Sequence, residues 1–192
     1  MNKKIGVVYH SGYGHTQKQA EAIEAGIAGH DSTEVKLIPV SHLTNSNSPR
    51  WEFLDESDVL VMGAPTYMGP LSADFKVFME QSSSRWQEMK WANKLSAGFT
   101  NSGSQNGDKQ NSLMQLLTFA AQHGMLWINL CQMPGNNSST SSIDDLNRLG
   151  ASLGAMAQSN VDVGPDDGPT QADLETAKAF GLYIAQCAHR WN

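Results

Sequence analysis

The sequence predicts an α/β fold built on a doubly wound parallel sheet of five strands, and three observations predict it. Five short apolar runs recur along the chain, continuous rather than alternating, as strands covered on both faces read. Stretches with apolar residues at helical spacing separate them, the alternation that gives parallel sheets. The loops after the first, third and fourth runs are small, polar or rigid, and ligands of such sheets bind beyond the strands' carboxyl ends.

The first run, residues 5–9, is bounded by turn residues, and residues 17–28 carry Ala20, Ile23 and Ile27 at helical spacing. A second strand is expected over residues 33–38. Residues 39–49, with Asn45-Ser46-Asn47-Ser48, read as a loop. The third strand is residues 58–63. Residues 72–81 follow as a helix that places Phe75, Phe78 and Met79 on one face, with Ser72 as its cap. Residues 95–100 form the fourth strand, 112–122 a helix and 125–130 the fifth strand. The Ser- and Asn-rich residues 132–142 read as a long exposed loop. A last helix over residues 171–189, capped by Thr170, buries Leu174, Ala177, Gly181, Ile184, Ala185 and Ala188. No linker or repeat divides the chain, so residues 1–192 are read as one domain.

Between the first strand and its helix stand Ser11, Gly12, Tyr13, Gly14, His15 and Thr16. A strand, a small-residue loop and a helix start leave backbone N–H groups at the helix's positive end, a site for phosphate. Ser11 and Thr16 add hydroxyls, and the glycines allow close approach. No lysine lies between Lys4 and Lys18, which excludes the nucleoside-triphosphate loop. Gln17 stands where the dinucleotide fingerprint has its third glycine. The second strand ends in Pro39 instead of a ribose-binding acid. A monophosphate held by hydroxyls and amides is the reading that remains. The other two loops, 64–70 and 101–107, suit a flat ring, and together the three ask for a mononucleotide with a large planar head, a description that FMN fits.

Composition bounds the function. The 192 residues carry 13 basic and 19 acidic side chains, net −6, so no broad basic face for nucleic acid or anionic lipid is implied. Apolar content is 40% and charged content 17%, as in soluble globular proteins. Two cysteines, Cys131 and Cys187, form no ligand pair or disulfide framework. His10, His30, His42 and His189 show no metal-ligand spacing. No signal peptide or membrane-spanning segment is read, so a cytoplasmic location without membrane insertion is expected.

Ser-Gly-Tyr-Gly-His-Thr at 11–16, Pro-Thr-Tyr-Met-Gly at 65–69 and the Ser/Gly loop at 101–107 occur in order. With them stand Ser84-Arg85-Trp86, Gln122-His123-Gly124-Met125 and Pro169-Thr170. Over nearly its whole length the chain resembles the flavodoxin-like NAD(P)H:quinone oxidoreductases of the WrbA (tryptophan-repressor-binding protein) type. The resemblance implies a flavodoxin-like three-layer sandwich with FMN as cofactor and NAD(P)H as co-substrate. It implies a quinone or similar acceptor and a homodimer or homotetramer. Ser11 to Thr16 would hold the phosphate. Pro65, Thr66, Tyr67, Met68 and Gly69 would border one edge of the ring, and Thr100, Asn101, Ser102, Gly103, Ser104 and Gln105 the other. Trp86 and His123 would line the cavity over the flavin as catalytic residues. The chain departs from the family at Tyr67, where an arginine is usual, at Leu149 in place of a tyrosine, in the stretch after the second strand, and in the loop 101–107, which lacks a glycine run.

Neither flavin-edge loop contains Lys or Arg, so the negative charge of a reduced flavin would fall to backbone N–H groups of residues 101–105. His123 could bond a quinone oxygen or supply its proton, or simply cap the preceding helix. Two rival functions stand beside the oxidoreductase. Gly150-Ala151-Ser152-Leu153-Gly154, with Asp173 and His189 downstream, matches the hydrolase nucleophile elbow, although a polar stretch replaces the required strand. A flavodoxin-like one-electron carrier without its own substrate is the other. Such carriers have strongly acidic docking faces, and −6 is modest.

Overall fold

The computed structural model describes residues 2–45 and 48–191. The first apolar run forms β1 (Lys3–Tyr9), and β2 (Thr33–Pro39), β3 (Val59–Pro65) and β4 (Leu95–Ser102) lie parallel in the order β2-β1-β3-β4. Every residue of β3 and β4 is buried, the reason their sequences are continuous rather than alternating. Chain order reverses at β1, which has β2 on one side and β3 on the other, so a crevice opens beyond their carboxyl ends.

One layer consists of α1 (His15–Ala28) and α6 (Gln171–Arg190). Their Ile23, Ile27, Phe180 and Ile184 pack on Ile5, Val7, Val59 and Val61 of the sheet. The opposite face carries α2 (Pro49–Glu56), α3 (Ala73–Gln81) and α5 (Lys109–Gln122). There Trp51, Phe75, Phe78 and Leu116 cover Val8, Leu60 and Met62. A short α4 (Ser83–Gln87) follows α3. Thr170 caps α6 by accepting from the Asp173 amide.

Four expectations change. The fifth strand, read over 125–130, is filled in two pieces: β5 (Leu126–Trp127) pairs with the start of β4, and β6 (Ala155–Gln158) with its end. Trp127 explains the break. Its indole covers Gly98, where a Cβ would lie 2.6 Å from the ring, and its Nε1 donates to the Leu153 carbonyl at 2.8 Å. The chain leaves the sheet there, makes the excursion 128–154, and returns at Gly154, tight against the Gly98 carbonyl.

The expected loop 39–49 contains a 3-10 turn (Val40–Leu43), and Pro49 opens α2 behind Ser48; Ser46 and Asn47 lie outside the described residues. Ser72 stands at the start of α3, but its hydroxyl bonds His10 Nδ1 at 2.8 Å instead of capping, while His10 Nε2 meets Asp74 at 3.0 Å. Leu174 is only half-buried, because the face of α6 that packs on α1 turns past it. Residues 132–142 hold no helix or strand, as expected.

Candidate functional site

Beyond the carboxyl end of β1 the chain turns through Ser11–Thr16 into α1. The Ser11 hydroxyl accepts from the Gly14 and Gln17 amides, both at 3.1 Å, and so fixes the loop from within. Gly14 adopts φ 91°, a left-handed conformation that glycine tolerates, with Pro165 packed where a Cβ would stand. Among the described residues, the amides of Tyr13, His15 and Thr16 have no partner in the chain. Unpaired amides at a helix N-terminus form an anion site. The nearby Lys18 is already paired, 3.3 Å from Asp166.

After β3, Pro65 and Thr66 enter a turn in which the Tyr67 amide donates to the Pro70 carbonyl at 3.0 Å. Thr66 Oγ1 is buried in a hydroxyl chain, 2.8 Å from Thr100 Oγ1 and 2.7 Å from Ser112 Oγ, and Thr100 donates to the Ala64 carbonyl. These threonines hold the two strand ends together from below. The Tyr67 hydroxyl reaches across to Gly12, whose amide bonds it; a Cβ on Gly12 would lie 2.4 Å from that oxygen. Burial, then the neighbouring Tyr13, raises the Tyr67 pKa above its usual value, so the phenol keeps its proton. Tyr13 stands edge-on to it at 6.3 Å. Met68 is fully exposed, and Gly69 completes the turn at φ 103°.

The loop after β4 is held from beneath by a residue that the sequence reading passed over. Lys109, at the start of α5, is 1% exposed and donates three bonds: to Ser102 Oγ at 2.8 Å, to the Ser104 carbonyl at 2.7 Å and to the Gln105 carbonyl at 2.8 Å. Gln158 Nε2 takes the Gly103 carbonyl at 2.9 Å. Behind them, Arg148 binds both carboxylate oxygens of Asp173 at 2.8 Å, and Asp173 also accepts from the Gln158 amide at 2.9 Å. Burial lowers the Lys109 pKa to about 8, with Asp173 opposing that and Arg148 adding to it.

The segment after β6 supplies the remaining wall. His15 Nε2 meets the Val163 carbonyl at 3.0 Å, and Asn101 Nδ2 donates to Ser159 Oγ at 2.9 Å. The cavity so enclosed is about 400 Å³. Ser11, Tyr13, His15, Thr16, Pro65, Thr66, Tyr67, Asn101, Ser102 and Gly103 line it, joined by Ser159, Val161 and Val163. Three separate loops thus meet, as the sequence suggested. Ser159, Val161 and Val163 carried no signal, because small and apolar residues in a polar stretch mark no motif. Gly12 and Gly14 shape the first loop, Thr100 lies beneath the wall, and Ser104 and Gln105 are exposed and outside the lining.

Neither of the two residues expected to be catalytic lines the cavity within one chain. His123 ends α5, which runs back along β4, and it lies beside Leu126, the partner of Leu95 at the strand's start. Leu95 to Ser102 spans roughly 23 Å of strand. His123 is 2% exposed, set between Trp91 at 4.6 Å and Phe119 at 4.7 Å, with Nε2 3.0 Å from Ser82 Oγ. Burial lowers its pKa to about 4, so it is neutral at physiological pH. Trp86, on α4, is half-exposed and also outside the cavity lining. Within one chain neither lines the cavity. The hydrolase constellation does not assemble either. Ser152 precedes β6 without a strand-to-helix elbow, Asp173 is committed to Arg148, and His189 bonds Thr33 at 3.0 Å and stacks on His30.

The fold and this cavity define a flavodoxin-like protein, and comparison with known proteins agrees. The chain belongs to the WrbA-like flavodoxin family. It is 40% identical to "Flavodoxin FldP" of Pseudomonas aeruginosa, over 97% of this chain and 96% of that protein. A crystal structure described as the flavodoxin, WrbA-like protein from Agrobacterium tumefaciens matches with TM-score 0.78 and 36% identity, over 100% of both chains. The "Quinone-oxidoreductase QR2" of Triphysaria versicolor is 26% identical over 96% of this chain and 95% of its own length. A family model described as NADPH-dependent FMN reductase matches residues 51–138. No helix among the described residues is long and apolar enough to cross a membrane.

Proposed function

We propose that this protein binds FMN in the cavity at the β1, β3 and β4 ends and passes two electrons from NAD(P)H to a quinone or similar small acceptor. The observation that carries the reading is the set of amides at Tyr13, His15 and Thr16, unpartnered among the described residues, in residues that line the crevice at the switch in strand order. Three such donors at a helix start suit a phosphate, and the Ser11 hydroxyl pre-sets their geometry before any ligand arrives. Pro65, Thr66 and Tyr67 would border one edge of the ring; Asn101, Ser102 and Gly103 would border the other. Met68 and Gly69 would shape the turn beside it, and Ser104 and Gln105 the rim.

FMN, when bound, supplies the two-electron redox chemistry and the protein supplies position and field. The net reaction is NAD(P)H + H⁺ + quinone giving NAD(P)⁺ + hydroquinone. Ser11 and the loop amides bind and orient, and the protonated Tyr67 phenol keeps the space beside Gly12 neutral. His123, neutral and buried, is given no proton-transfer role in the single chain.

A second reading is favoured by a specific observation: the 40% relative is named a flavodoxin, whereas the relatives named quinone oxidoreductases are about 26% identical. The protein would then be an electron carrier. One experiment separates the two. Purified protein is loaded with FMN, and oxidation of NADH and NADPH is followed with and without benzoquinone. Rapid quinone-dependent oxidation supports the enzyme. FMN binding without reduction by either nucleotide supports the carrier.

A further inference from the structure

We infer that Lys109 is a positioning residue for the cofactor: it holds the 102–105 loop with its carbonyls inward and stands as a positive charge behind the cavity wall, favouring reduced over oxidised FMN. This rests on the FMN reading above and extends it to a residue outside the three cavity-lining loops.

Stereochemistry carries the first half. A trans peptide directs its C=O and the next N–H to opposite sides. The carbonyls of Gly103, Ser104 and Gln105 all point inward, to Gln158 and to Lys109. The amides of Ser104, Gln105 and Asn106 therefore face outward, and among the described residues they have no partner in the chain. The first of them adjoins Gly103, which lines the cavity. A run of outward amides is what an anionic ring edge requires.

Charge carries the second half. Arg148 and Asp173 neutralise each other at 2.8 Å, so the buried cluster behind the loop keeps one net positive charge, that of Lys109. Its ammonium sits one hydroxyl behind the wall, since Ser102, its partner at 2.8 Å, lines the cavity. β4 presents Ser102 to it, and among the described residues Asp173 of α6 and Arg148 of the excursion are the charged groups that act on it.

The test compares wild type with Lys109→Met, which keeps length without charge, and Lys109→Arg, which keeps charge. Each is loaded with FMN, binding of the oxidised form is measured by fluorescence quenching, and the midpoint potential by dye equilibration. Lys109→Met should bind both forms more weakly, reduced FMN about tenfold more so than oxidised FMN, a two-electron midpoint ~30 mV lower. Lys109→Arg should recover at least half of that shift. In the wild type the midpoint should fall more steeply with pH above about 8, where reduction draws a further proton onto Lys109. The methionine variant should lose this bend.

A wild-type midpoint in Lys109→Met, or an equal drop in both variants, would overturn the inference and leave FMN binding standing. If the methionine variant does not fold, the wild-type pH profile decides: a straight line overturns the inference. If wild-type protein takes up no FMN, the cofactor reading itself fails and this inference with it.

Discussion

The loops at the ends of β1 and β4 face the same cavity but are held in opposite ways. Residues 11–16 are organised from within, by Ser11 accepting two amides a few residues ahead. Residues 102–105 are organised from behind, by Lys109 and by Gln158, which is itself tied to the Arg148–Asp173 pair. A self-held loop keeps its shape as long as its own residues are intact. A loop held from behind depends on a buried polar network, in which each unsatisfied member costs more than its bond contributes. The first therefore suits a fixed anchor, and the second suits adjusting the field around a ring.

The largest way to break this contrast is Asp173→Ala. It strands the buried Arg148 guanidinium, so about 3–5 kcal/mol of stability should disappear in urea unfolding. Replacing both partners, Arg148→Met with Asp173→Leu, should restore most of it. A single-variant loss below about 1 kcal/mol, the range of exposed pairs, would mean the network does not hold the loop.

The next effect lies at the far end of the sheet. His123 is neutral in the fold with a pKa near 4, below its ordinary 6.5, so the unfolded chain binds more protons between those values. Stability should be intact above pH 6.5 and fall by about 3 kcal/mol as pH drops to 4. His123→Phe should flatten that stretch of the curve, and an unchanged acid limb would show that other groups set it. The same variant should leave FMN binding untouched, since the site lies roughly 23 Å away along the strand.

Ser11→Ala should have the smallest cost to stability, about 1 kcal/mol for the loop's lost acceptor. Its signature is elsewhere: FMN binding should weaken about tenfold in both oxidation states. Lys109→Met is expected to discriminate between those states. Equal behaviour of the two variants would erase the distinction between the loops.

The same contrast explains what the sequence could disclose. Strands β1, β3 and β4 and helices α1 and α6 were legible because burial writes itself as apolar runs and helical spacing. The first loop was legible because Ser11 and the two amides it accepts lie within seven residues. The divided fifth strand was not: its cause is the Trp127 ring on Gly98, a contact between strands. Helix α2 was hidden by its two-turn length behind a proline. Lys109 was overlooked because a lysine in a polar stretch normally marks solvent, and only its three carbonyl and hydroxyl partners show otherwise. Within one chain His123 stands at the other end of the sheet, because its motif gives its neighbours in sequence, whereas the run of α5 decides which end of the sheet it occupies.

The most direct test of the central claim compares FMN with riboflavin, which has the same ring and no phosphate, by fluorescence titration against the purified protein. If the amides of Tyr13, His15 and Thr16 hold the phosphate, FMN should bind about a hundredfold more tightly or better. Equal affinities would contradict the account, because the loop after β1 would then contribute no phosphate site.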